Sequence, residues 1–124
     1  MTPQTESRTL DPDAIGRTVN VMGIDTFFHD AGDGPPLLLL HGSGPGVSAW
    51  SNWRPIYAAL AENHRVIAPD QVGFNRTQAD GPVEYGRKLW TDHALALLDE
   101  LEIERCSVIG NSMGGAIALS LAAA

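Results

Sequence analysis

Basic residues are scarce in this 124-residue chain: 8 lysines and arginines stand against 15 aspartates and glutamates, giving a net charge of −7. With no basic run to meet a polyanion, a nucleic-acid partner is excluded. Cysteine is rarer still. The one present, Cys106, cannot form an intrachain disulfide and sits in an apolar stretch. It reads as a small buried hydrophobe in a reducing compartment. No apolar run approaches bilayer-spanning length, and residues 1–17 lack the apolar centre of a secretory signal. A cytoplasmic protein with no membrane partner is expected. The four histidines and one cysteine show no ligand spacing, and no P-loop or dinucleotide fingerprint occurs, so neither metal nor cofactor is expected.

What is present is enough apolar sequence, 44% of residues, for one domain core. Residues 1–16 read as a flexible N-terminal arm, and 17–124 as part of a core domain. Thr18–Met22 and Ile24–His29 are β-rich and joined at Gly23, which predicts an antiparallel pair with one wetted face. Leu37–Leu40 is continuously apolar, as a strand buried on both faces would be. Ser48 is a plausible N-cap for a helix from Trp50 to Glu62, with Pro55 tolerable only in its first turns. Arg65–Ala68 predicts a further buried strand, and 75–88 a surface loop. Trp90, Ala94, Leu97, Leu98 and Leu101 recur at helical spacing. Cys106–Ile109 then reads as a strand buried on both faces, followed by an apolar helix from Met113. From Leu37 onward this β-α-β-α-β-α order predicts an α/β fold, a mostly parallel sheet with helices on its faces.

The chemistry concentrates at Gly110-Asn111-Ser112-Met113-Gly114, a G-x-S-x-G between a predicted strand and a predicted helix. Glycines two residues either side of a serine let strand and helix pass closely, so that the turn holds Ser112 Oγ at the strand tip. The new helix start supplies unpaired N–H groups beside it. A second shaped loop, His41-Gly42-Ser43-Gly44-Pro45-Gly46, follows Leu40 at once. The final helix lacks a C-cap signal, and nothing after it covers its apolar surface or the preceding strand. The sequence is therefore expected to be the N-terminal portion of a longer protein, its fold cut off after the elbow.

His41-Gly42 after one strand, Pro69-Asp70 after the next and the elbow at Ser112 make residues 18–124 resemble an α/β-hydrolase. The finer resemblance is to the meta-cleavage product hydrolases, carried by His41–Gly46, by Ser51-Asn52-Trp53-Arg54 and by Asn111 before the serine. These bacterial enzymes of aromatic catabolism hydrolyse a carbon–carbon bond in 2-hydroxy-6-oxo-2,4-dienoates. The resemblance implies Ser112 as nucleophile, the N–H groups of Ser43 and Met113 as oxyanion hole, and Gly42, Asn52 and Asn111 in substrate binding. It also implies a small-molecule dienoate partner, a homo-oligomer when whole, and a triad Asp and His beyond Ala124. A piece lacking those two groups is expected to be inactive alone.

The remaining polar residues read differently. His41 belongs to its loop and is expected to hydrogen-bond structurally, and Asp70 to shape a turn. His29 and His64 read as strand-end or surface groups, and His93 as part of an outer helix face. The tryptophans read as core or pocket wall. Two rival functions keep the scaffold: a carboxylesterase or other acyl-transfer enzyme, and a non-catalytic hydrolase-like binding protein.

Overall fold

The structure, a computed structural model, describes residues 10–123. Its strands are β1 (Gly16–Val21), β2 (Ile24–Ala31), β3 (Pro36–Leu40), β4 (Arg65–Pro69) and β5 (Ser107–Gly110). The helices are α1 (Ala49–Leu60), α2 (Arg87–Glu100) and α3 (Met113–Ala122). The five strands form one mixed sheet in the order β1-β2-β4-β3-β5. β1 and β2 are an antiparallel hairpin with Val21 opposite Ile24, and β2 runs antiparallel to β4. β3 lies parallel to both β4 and β5, as a β-α-β-α-β order requires.

Period-2 side-chain alternation divides the four leucines of β3 between two helical layers. Leu37 and Leu39 join Val66 and Ala68 against Ala49, Trp53 and Tyr57 of α1. Leu38 and Leu40 join Phe28 and Ile67 against Leu97 of α2 and Ile117 of α3. Both faces of the strand are covered, so no polar residue interrupts it. α1 begins at Ser48, whose Oγ accepts from Ser51 N–H at 3.1 Å, while Ser51 Oγ accepts from Ser48 N–H at 2.9 Å. Pro55 lies in the second turn of α1. It leaves Ser51 C=O without an i+4 donor, and Ser51 is exposed to water.

Among the described residues β5 is the sheet edge, its residues alternating between exposed and half-buried, and α3 is buried only at Gly114 and Ile117 with Leu119 open; strand and helix are left uncovered, as expected. Other expectations are corrected. Cys106, expected as a buried hydrophobe, is half-buried. His93 does not face outward. It is buried, its Nε2 lies 2.8 Å from Thr26 Oγ1, and that hydroxyl's own proton goes to Ile24 C=O. The ring nitrogen therefore donates to Thr26, and desolvation pushes the His93 pKa down to about 4. His29 is buried too, in β2 among Phe27, Trp50 and Tyr57. His64 is half-buried, with Nδ1 3.2 Å from Leu60 C=O.

Residues 1–9 of the expected N-terminal arm lie outside the described residues. Within them, Ala14 and Ile15 N–H bond to Asp11 C=O in a turn, and Leu10 and Ile15 rest against the α1 side of the core. No helix among the described residues is long and apolar enough to cross a membrane.

Candidate active site

The C-terminal ends of β3, β4 and β5 lie at one end of the sheet, because these strands are parallel neighbours. Each feeds a loop into the same region: His41-Gly42-Ser43, Asp70-Gln71 and Asn111-Ser112. That end of a parallel sheet is where open α/β folds assemble their sites.

Ser112 takes φ 56° and ψ −112°, a left-handed conformation that costs a non-glycine residue of order 1–3 kcal/mol. The surroundings over-determine it. A Cβ on Gly110 would lie 2.1 Å from Gly114 C=O oxygen, and one on Gly114 would lie 2.0 Å from Leu40 O. Only hydrogen fits at either place, so strand and helix approach until the chain must turn at Ser112. Ser112 occupies the N-cap position of α3, yet its Oγ makes no capping bond and the residue is exposed. The hydroxyl is left for something else.

The loop after β3 comes to this serine. A Cβ on Gly42 would sit 3.4 Å from Ser112 Cβ and 3.2 Å from Asn111 O. Asn52, on the first turn of α1, ties loop and elbow together. Its Oδ1 accepts from Gly42 N–H at 2.9 Å and from Asn111 Nδ2 at 3.0 Å. Gly42 N–H is therefore occupied, whereas the N–H groups of Ser43 and Met113 meet no acceptor among the described residues. Asn52 keeps its own NH₂, and Asn111 its second N–H, for a further acceptor.

Asp70 is buried and shapes its surroundings. Oδ1 accepts from Ala49 N–H at 2.8 Å, at the start of α1, and Oδ2 accepts from Asn75 Nδ2 at 2.9 Å. His41 is fully buried, with Nδ1 2.7 Å from Gly42 C=O and Nε2 accepting from Gln71 N–H at 3.0 Å. Desolvation lowers its pKa, against the opposing pulls of the Gly42 carbonyl and Asp70. All six residues implied by the resemblance, Gly42, Ser43, Asn52, Asn111, Ser112 and Met113, thus lie in one neighbourhood. Gln71 was not singled out from sequence. Its position just past β4 was the available signal, since parallel neighbours end their strands together. No cluster of metal-ligating side chains occurs among the described residues.

The chain is similar to known proteins. The chain is 52% identical over 108 residues to the 2-hydroxymuconate semialdehyde hydrolase of a Pseudomonas strain, covering 87% of this chain and 38% of that protein. Identity is 50% over 108 residues to the 2-hydroxy-6-oxo-2,4-heptadienoate hydrolase of Pseudomonas putida, covering 87% and 39%. Among solved structures, a meta-cleavage product hydrolase from Pseudomonas fluorescens superposes with a TM-score of 0.84 at 45% identity, over 87% of this chain and 40% of that one. The chain thus spans about two fifths of the length of the relatives it matches. Residues 37–124, from the central strand through the elbow, match the model of the alpha/beta hydrolase family. Shared sequence over most of the chain and a family match that runs through Ser112 lead to one conclusion: the chain belongs to the alpha/beta hydrolase family.

Proposed function

We propose that this chain carries the nucleophile half of a serine-dependent carbon–carbon bond hydrolase acting on a 2-hydroxy-6-oxo-2,4-dienoate from aromatic degradation. The observation that carries it is an exposed serine held at φ 56° and excluded from helix capping, with the Gly42–Ser43 loop alongside. The relatives' names supply the substrate class. They are hydrolases of 2-hydroxymuconate semialdehyde and of 2-hydroxy-6-oxo-2,4-heptadienoate.

The substrate first ketonises, its 2-hydroxyl proton passing to C5. Ser112 Oγ loses its proton to a general base and bonds to the 6-oxo carbon. The carbonyl pair moves onto oxygen, and the N–H groups of Ser43 and Met113 face that charge. Such donors are worth roughly 3–4 kcal/mol apiece. As the tetrahedral carbon collapses, the C5–C6 bond breaks and its electron pair runs through C3=C4 to the 2-oxygen, which takes up a proton. Water then cleaves the Ser112 ester, releasing a carboxylic acid and the dienol acid. Asn52 NH₂ and the spare Asn111 N–H offer neutral donors to the substrate's carboxylate and 2-oxygen.

A carboxylesterase would use the same nucleophile and donors. The protein as its gene encodes it should bleach a yellow 2-hydroxy-6-oxo-dienoate with a kcat/KM well above that for p-nitrophenyl acetate. Strong ester turnover with no bleaching would reject the carbon–carbon reading.

A further inference from the structure

We propose that His41 is a positioning residue for the oxyanion site, its ring locking the Gly42–Ser43 peptide so that Ser43 N–H faces Ser112. The inference rests on the serine-hydrolase reading above. Gly42 C=O lies 2.7 Å from His41 Nδ1, and Nε2 receives Gln71 N–H at 3.0 Å. A carbonyl can only accept and a main-chain N–H can only donate, so the ring is neutral with its proton on Nδ1. Gln71 closes a second bond, its Nε2 donating to His41 C=O at 2.9 Å. Phe74 packs edge-on against the ring at 4.9 Å.

A trans peptide points its C=O and N–H in opposite directions within one plane. Holding Gly42 C=O on the imidazole therefore fixes where Ser43 N–H points. The other peptide of Gly42 is held by Asn52 Oδ1 through the Gly42 N–H. Beyond Ser43 the loop packs against little, since a Cβ on Gly44 or Gly46 would meet nothing within 4 Å, and its own closure is the Val47 N–H bond to Gly44 C=O at 3.2 Å. Without the ring, glycine's freedom would let this peptide rotate, and the donor would leave the line to the serine. His41 does not touch substrate in this scheme. It aims a donor that does.

Phosphonylation by an ethyl fluorophosphonate probe reads this directly. Ser112 Oγ bonds to phosphorus, fluoride leaves, the hydroxyl proton passes to a base, and the P=O oxygen takes the oxyanion position. In the protein as its gene encodes it, His41→Leu should lower the maximal labelling rate about 100-fold, the scale of one lost oxyanion donor. The probe concentration for half-maximal rate should stay within about threefold. His41→Asn restores an N–H near the Nδ1 position and should recover to within about tenfold of wild type. A His41→Leu protein that labels at the wild-type rate would overturn the proposal, as would an Asn variant no faster than Leu when both fold. If neither variant folds, nitrogen NMR of the wild-type ring still decides: Nδ1–H is expected, and Nε2–H or imidazolium at neutral pH would overturn it. Failure of the wild type to label at Ser112 would instead reject the serine-hydrolase reading itself.

Discussion

Two serines begin two helices in this molecule, and they do opposite things. Ser48 sits ahead of α1 with φ −137°, an extended conformation from which its hydroxyl folds back onto Ser51 N–H. Ser112 sits ahead of α3 with φ 56°, and its hydroxyl caps nothing. The residue type, the N-cap position and the following helix are the same. The backbone torsions differ, φ −137° and ψ 168° at Ser48 against φ 56° and ψ −112° at Ser112, and the close packing of Gly110 and Gly114 sets the second pair. A serine becomes available for chemistry when the backbone takes away its structural task. Asp70 partly supplies what the strained start cannot show elsewhere: α1 has both Ser48 and the Asp70 carboxylate on its first N–H groups, while the corresponding Met113 N–H has no acceptor among the described residues. One helix start is satisfied, the other is left electropositive.

Substitutions can break this contrast, and the largest effect belongs to the idle hydroxyl. Ser112→Ala should lower kcat in the encoded protein by at least about 10³-fold, as loss of a catalytic nucleophile does. Its thermal midpoint should stay within a few degrees, because no hydrogen bond is lost. A variant with retained turnover would make Ser112 another turn residue. Next comes Gly114→Ala. Its methyl would meet Leu40 O at 2.0 Å and His41 O at 2.9 Å, main-chain atoms that cannot yield cheaply. A loss of several kcal/mol is expected, seen as a collapse of soluble folded protein, whereas Gly44→Ala, with nothing within 4 Å, should leave the denaturation midpoint nearly unchanged.

Ser48→Ala should behave as the mirror of Ser112→Ala. Loss of the cap should cost about 1 kcal/mol in urea denaturation, with kcat unchanged. A kcat that fell with stability intact would mean that the two helix starts are not separable. The smallest effect sharpens the contrast most. Ser112→Gly should be more stable than Ser112→Ala by about 0.5–1 kcal/mol, because glycine adopts positive φ without strain. Ser48→Gly, at a φ any residue accepts, should instead lose a few tenths of a kcal/mol.

How much of this was legible depended on whether one stretch carried its own explanation. Leu37–Leu40 did, because a strand covered on both faces leaves no polar position. G-x-S-x-G did as well, since the steric demand and the residues that meet it lie within five positions. Ser48 declared its cap by residue type, just ahead of an apolar-periodic run. Cys106–Ile109 is composed for burial, and β5 stands as the uncovered sheet edge that the sequence reading expects among the described residues. His93 misled. It shares a helical face with Trp90 and Leu97, but the group that lets an imidazole be buried there is Thr26, 67 positions away.

The sequence by itself determined the alternation of strands and helices, the two-layer core around β3 and a turn that can only be built with glycine at 110 and 114. These follow from local sterics and from the period of apolar residues. Tertiary structure alone decided that Asn52 would join Gly42 to Asn111 and that Gln71 would hold His41. Those contacts bridge the ends of three parallel strands and the start of α1, and hydrogen bonds between distant groups exist only once the sheet has fixed their separation.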